Sequence, residues 1–358
     1  MVVLNALDAA ERGAIINTRT RCESARRIND LWQIDYINTI TGKRHQIKAR
    51  SIINAAGPWV NRIIKQAESV DSQRHVRLVK GSHIVVPKFW EGNQAYLVQN
   101  TDKRVIFINP YENGRALIGT TDIAFDGDAD DVCIDESEID YLLTAVNRYF
   151  KKALMRSDIL HTFAGVRPLF DDNADNPSAV TRDYLFDLDT DTGKAPMLSI
   201  FGGKITTFRK LAEHALDKMQ PFFPHMSAPW TSLVPLPGGD IDNADFDEFV
   251  ARLKNQYSQL PETLLLHYAR LYGTRCQQLL SGVQQVSDLG KQFSEHCFEI
   301  EARFLIKYEW AHTSEDILRR RTKHALHMSD DEVADFKHWL QTSQNKQSDL
   351  QSIYGHVS

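Results

Sequence analysis

The sequence predicts a mixed α/β (α+β) fold in three parts, and three observations predict it. The first 16 residues read as a helix followed by a short apolar strand. A strand-rich stretch runs from about residue 75 to 170, and beyond Pro237 the periodicity turns strongly helical. With 358 residues, 42% of them apolar, the chain is long enough to bury several cores.

In the opening helix, Leu4, Leu7 and Ala10 recur at helical spacing while Asp8 and Glu11 face out. Gly13 is a helix stop, and Ala14-Ile15-Ile16 reads as a strand, the second half of a βαβ unit. A meander follows. Trp32, Ile34 and Tyr36 alternate with polar residues, Thr41-Gly42-Lys43 offers a turn, and Ile47 and Ala49 resume the alternation. Residues 51–59 read as a buried strand running into a turn of small residues, which lets a ligand approach the backbone. Further strands are expected at 84–86, 105–108 and 117–122, then a helix with Ile139, Leu142, Leu143, Val146 and Phe150 on its apolar face. Residues 135–138 place acids at that helix's positive end. Leu198-Ser199-Ile200-Phe201 is a strand broken by Gly202-Gly203, and Thr206 or Thr207 can cap the next helix. Pro229, Pro235, Pro237, Gly238 and Gly239 mark a linker, followed by helical patterns at 246–257, 261–271, 293–312, 316–328 and 330–342.

Composition excludes several classes. A net charge of −5 argues against a partner bound through nucleic-acid phosphates, and Arg319-Arg320-Arg321 reads as a solvated helix face beside Glu315 and Asp316. No apolar run reaches the ~20 residues of a membrane-spanning helix. The N-terminus lacks the basic and apolar regions of a signal peptide, while attachment to a membrane surface stays open. Four scattered cysteines form no CxxC pair and fit a reducing compartment. Thirteen histidines include no HExxH, so no metal site is expected.

Four segments carry chemistry. Residues 53–60 (Ile-Asn-Ala-Ala-Gly-Pro-Trp-Val) leave backbone room at Ala55, Ala56 and Gly57, with Trp59 beyond. Lys80-Gly81-Ser82-His83 leads into a strand. Ala164-Gly165-Val166-Arg167-Pro168 is followed by residues 178–184, which include Thr181-Arg182-Asp183-Tyr184. Phe201-Gly202-Gly203-Lys204-Ile205-Thr206-Thr207 closes the set, with two glycines before a helix start whose free N–H groups favour negative charge. In this order, and together with Leu236-Pro237-Gly238-Gly239 and the helical end, the set resembles the aerobic FAD-dependent glycerol-3-phosphate dehydrogenase family over essentially the whole chain.

The resemblance implies oxidation of sn-glycerol 3-phosphate to dihydroxyacetone phosphate, FAD as cofactor, electrons passed to quinone, peripheral placement on the cytoplasmic membrane, and room for a homodimer. It implies that Arg182, Arg167 and Lys204 bind substrate, Arg offering a bidentate fork to phosphate. Arg167, Lys204 and His83 are the catalytic candidates, the last two as general base. Ala55, Ala56, Gly57, Trp59, Gly202, Gly203, Lys204, Ile205 and Thr206 are the cofactor-binding candidates. The helix start at 205–207 would stabilise negative charge on the flavin ring. The implied parts are a remainder of a Rossmann-like FAD-binding domain (1–74 and 174–228), an inserted substrate domain (75–173) and a helical domain (229–358).

One departure stands out. The chain has no GxGxxG loop with its ribose-holding acid, and it lacks the family's histidine- and arginine-bearing segment downstream of that loop. It therefore reads as starting inside a domain, with weak FAD binding and little activity expected. The competing readings are a flavin amine oxidase of the same fold, a non-catalytic remnant or interaction module, and a phosphate-binding module without redox chemistry.

Overall fold

The computed structural model describes residues 1–170, 183–190 and 194–354. Two compact units emerge: residues 1–18 with 230–358, and residues 19–229.

In the second unit, β1 (Thr20–Ile28), β2 (Leu31–Asn38) and β3 (Arg44–Ala49) form the expected meander, all antiparallel. Trp32 is fully buried and donates its indole N–H to the Pro196 carbonyl at 3.0 Å. The sequence pattern missed β1, whose residues show no clean alternation of burial. β4 is short (Ile52–Asn54), and of the stretch expected to be buried, Ile53 is 44% exposed.

A larger sheet contains β5 (Val76–Pro87), β6 (Tyr96–Gln99), β7 (Val105–Tyr111), β8 (Arg115–Gly119), β9 (Ile123–Phe125) and β10 (His161–Phe170). Its order is β10-β5-β8-β7-β6, with β9 also on β5. β8 ends at Gly119, so the expected strand over 117–122 loses its last three residues to an irregular connection. Helix 136–147 covers one face, packing Leu142, Ala145 and Val146 on Ile84, Ile106, Ile108 and Ile118. Asp135 caps that helix and Glu138 completes the capping box. The opposite face carries exposed Leu97, Phe107 and Phe163.

β11 (Tyr184–Asp189) runs antiparallel to β12 (Met197–Gly202), which is parallel to β4. The alternation of β12 builds two cores. Met197 and Phe201 join Trp32 and the helix 60–66 residues Val60 and Ile64, while Leu198 and Ile200 pack on Ala215 and Met219 of helix 208–219.

In the other unit, helix 2–11 ends before Gly13, which takes φ +97°. Residues 14–16 are not a strand, and Ile15 is 83% exposed. Three apolar residues without a ladder partner among the described residues have nothing to hold them extended. Helices 246–256, 262–272, 299–308 and 330–354 surround a core including Leu253, Leu264, Tyr268, Leu305 and Phe336. The expected helix over 293–312 shrinks to 299–308, with Trp310 at φ +52° just past its end. The segment expected over 316–328 becomes a π-helical turn at 316–321 and a short 3-10 turn. Arg321 departs from the solvated reading: its side chain is 15% exposed and donates to the Glu309 carbonyl at 2.6 Å.

Candidate active site

The site is built from the β10–β5 register. Phe163 pairs with His83, Gly165 with Gly81, and Arg167 with Val79, so these pairs share the face of the sheet away from helix 136–147. The intervening residues point at the helix. Ser82 donates to Glu138 Oε1 at 2.8 Å and Lys80 lies 2.8 Å from Glu138 Oε2. Thr121 donates to the same Oε1 at 2.7 Å, and the Asp135 N–H donates to Oε2 at 3.0 Å. Glu138 is 1% exposed, and its four partners fix the strand from behind. Burial opposes the charge on Lys80, but Glu138 and Asp135 outweigh it and hold the ammonium pKa above its usual value.

On the working face, Arg167 pairs with Asp122 and donates to Thr120 Oγ1 at 3.2 Å. Its guanidinium crosses Gly81: a Cβ there would stand 2.9 Å from Arg167 Nη2 and 2.4 Å from Thr120 Oγ1. A Cβ on Gly165 would meet nothing within 4 Å, so the floor opens at that point. His83 stacks on Phe163 with ring centroids 4.9 Å apart, and a Cβ on Gly119 would come within 2.1 Å of its Cδ2. Burial, and then the charge of Arg167, push the His83 pKa down, and its buried Nδ1 has no hydrogen-bond partner.

The glycine turns lie against the same strand. Gly57 faces Pro168, with its notional Cβ 3.9 Å from Cγ. Gly202, at φ +74°, would put a Cβ 2.7 Å from the Asp183 carbonyl and 3.4 Å from the Phe170 nitrogen, so both its backbone angle and its neighbours require glycine. Phe170 is three residues beyond Arg167, or about 10 Å along a strand. Asn54 fixes the turn before Gly57: its side chain donates to the Val60 carbonyl at 2.9 Å and accepts from the Ala56 N–H at 3.3 Å. Ala55 is exposed and Ala56 half-buried, and the buried Trp59 Nε1 has no hydrogen-bond partner.

Lys204, Ile205 and Thr206 form an exposed turn opening helix 208–219. Neither threonine caps that helix through its side chain as expected. Thr207 is at the cap position, and its hydroxyl donates to the Lys204 carbonyl at 3.0 Å. Arg182 lies outside the described residues. A concavity of about 610 Å³ lined by Asp71, Arg74, His75, Phe170 and Asp187 includes none of the predicted site residues.

Sequence reasoning missed Thr120, Asp122 and Glu138. The first two close the segment read as a strand, and only long-range pairing makes them Arg167's partners. Glu138 carried a signal as the third helical residue after Asp135, but that signal reads as a helix cap, not as an anchor under a site.

Comparison with known proteins shows the family. Residues 1–209 match the FAD dependent oxidoreductase family model, and residues 230–341 match the C-terminal domain of alpha-glycerophosphate oxidase. The chain is 57% identical to D-erythritol 1-phosphate dehydrogenase of Brucella abortus over 95% of its length and 68% of the relative's. It is 45% identical to aerobic glycerol-3-phosphate dehydrogenase of Escherichia coli, again over 95% of this chain and 68% of that one. It thus spans about two thirds of the length of these relatives. The structure of glycerol-3-phosphate dehydrogenase from Bacillus halodurans, complexed with FAD, superposes with a TM-score of 0.76 at 23% identity, over 95% of this chain and 71% of that one, and shows the fold to be shared.

Proposed function

We propose, for a chain that belongs to the FAD-dependent oxidoreductase family and to its glycerol-3-phosphate dehydrogenase group, that it oxidises the secondary alcohol of a short phosphorylated polyol. One observation carries the reading. A guanidinium fixed by Asp122 and Thr120 lies over Gly81, on the sheet face that also bears His83.

FAD, the family's cofactor, supplies the hydride acceptor when bound. The residues present fit the ring end of that group. The floor at Gly165 is open, the glycine turns at 57 and 202–203 lie against β10, and two buried ring nitrogens, Trp59 Nε1 and His83 Nδ1, lack partners. Arg167 orients the hydroxyl-bearing carbon and favours the developing alkoxide. Its salt bridge to Asp122 holds it still, so little reorganisation is needed on binding. His83 accepts the hydroxyl proton; burial and the nearby guanidinium keep its imidazole neutral. Lys204, exposed and without an ion-pair partner among the described residues, takes the phosphate together with Arg182. The N–H groups of Ile205 and Thr206, at the start of the turn that opens helix 208–219, would lend partial positive charge to the ring.

Glycerol 3-phosphate is the first substrate reading. The four-carbon erythritol 1-phosphate is the second, favoured by the 57% identity to an enzyme named for it. Electrons pass to quinone by peripheral contact with the membrane; no described helix is long and apolar enough to cross one. We further propose that this chain alone holds FAD weakly, because no GxGxxG segment occurs in its sequence. Stoichiometric flavin surviving gel filtration would refute that part. The substrate reading is tested with FAD in excess under anaerobic conditions: glycerol 3-phosphate or erythritol 1-phosphate bleaches the visible flavin band and glycine does not. Thermal stabilisation by the phosphate ester, lost in Arg167→Met, tests binding without turnover. Bleaching by glycine alone, or stabilisation that survives the substitution, overturns the reading.

A further inference from the structure

A second cluster of titratable side chains lies in the unit of residues 1–18 and 230–358, and the proposed oxidation makes no use of it. His267 on helix 262–272, Glu301 on helix 299–308 and His324 on the following 3-10 turn present ligand atoms all within 4.8 Å of one another. Glu301 is 1% exposed. Its Oε2 lies 2.8 Å from His324 Nε2, and its Oε1 lies 3.5 Å from His267 Nε2. The Tyr272 hydroxyl donates to Oε1 at 2.6 Å and orients the carboxylate, as an outer partner does for a metal ligand. The imidazoles of His267 and His324 lie 4.9 Å apart, and His296 stacks on His267 at 5.6 Å.

The protein atoms leave this pocket unsatisfied. His267 Nε2, His296 Nε2 and the Tyr268 hydroxyl are buried without a hydrogen-bond partner, and Tyr268 is fully buried. Three orphaned polar atoms around one buried carboxylate call for an occupant, either an ion or ordered water. The donor set says which ion would suit. Two imidazole nitrogens and one carboxylate oxygen are what zinc and its first-row neighbours take, whereas magnesium and calcium take oxygen alone. Ligand atoms on tetrahedral zinc stand about 3.3 Å apart, from bonds of about 2.0–2.1 Å. Here each imidazole nitrogen faces its own oxygen of the carboxylate, at 2.8 and 3.5 Å, and one ligand atom from each residue lies within 4.8 Å of the others, so the set draws together to hold an ion.

We propose that His267, Glu301 and His324 bind a divalent transition-metal ion, zinc by their chemistry, which clasps helices 262–272 and 299–308 to the turn that follows. The fourth position is left to a water or to the Tyr268 hydroxyl. The proposal does not rest on the flavin chemistry, so it stands whether or not the substrate reading holds.

The test uses the full chain without a histidine tag, equilibrated with zinc chloride, freed of excess and analysed for metal. About one zinc per chain is expected, falling at least about tenfold in His267→Gln and His324→Gln, each of which removes one ligand. The melting temperature should fall on chelation in the parent chain and stay constant in the variants. If the variants do not fold, cobalt substitution of the parent decides, since a buried His2Glu site gives the visible absorption of tetrahedral cobalt. Zinc retention no higher than in the variants, or a cobalt spectrum identical to that of the free ion, overturns the proposal and leaves water as the occupant.

Discussion

Glu138→Gln is the most telling perturbation of the sheet that carries the site. Glutamine keeps the shape and one oxygen, so Ser82 and Thr121 retain their acceptor. The other oxygen becomes an NH2 facing two donors, the Lys80 ammonium at 2.8 Å and the Asp135 N–H at 3.0 Å. Removing one partner of a buried ion pair costs about 3–5 kcal/mol. Lys80 keeps Asp135 at 3.1 Å and the Cys133 carbonyl at 3.3 Å, which argues for the low end. The orphaned Asp135 N–H adds about 1 kcal/mol. The expected loss is therefore about 3–4 kcal/mol, or roughly 10 °C in melting temperature. Urea unfolding with an unchanged slope measures it. The paired substitution Lys80→Met with Glu138→Gln should restore the charge part of the loss, because no buried ammonium is left behind and Ser82 and Thr121 keep their acceptor. A cost below about 1 kcal/mol for Glu138→Gln would show that the network is not holding β5.

Other expectations concern the working face. Gly81→Ala should cost about 1–3 kcal/mol by overpacking against Thr120 and Arg167 and should weaken substrate-dependent stabilisation, whereas Gly165→Ala, with open space above it, should leave stability nearly unchanged and impair only ligand approach; equal effects on stability would contradict the geometry. With His83 as base, activity falls as pH drops through a pKa held below 6.5, so the acid limb lies below that of an unperturbed imidazole. Arg167→Met removes one of the two lowering causes, and any residual activity should show that limb shifted toward higher pH; an unmoved limb would dissociate His83 from the rate. Asn54→Ala strips the Val60 carbonyl and the Ala56 N–H of their partner and should cost about 1–3 kcal/mol in thermal unfolding.

Much of the fold was legible because periodicity is local. The meander at 31–49, the helix over 136–147 and the break at Gly202-Gly203 follow from alternation, capping and glycine chemistry within a few residues. What was not legible depended on partners distant in sequence. Residues 14–16 have strand-forming side chains but no described neighbour to pair with, and β1 became a strand despite its polar letters because β2 lies beside it. The site divides in the same way. Arg167, His83 and the glycine turns were quoted from motifs, while the roles of Asp122 and Thr120 appear only when β10 lies against β5. The triad of His267, Glu301 and His324 has no compact spacing in the chain, so no linear motif could have announced it.

β5 works as a two-sided ruler. Its even-numbered members Lys80, Ser82, Ile84 and Val86 belong to the scaffold, and Gly81 and His83 belong to the chemistry. Deleting or inserting a single residue just before position 80 would therefore exchange the two sets, burying an imidazole under the helix and turning an ammonium outward. A substitution can spare one set while it changes the other, but a change of length by one undoes anchor and reagent together.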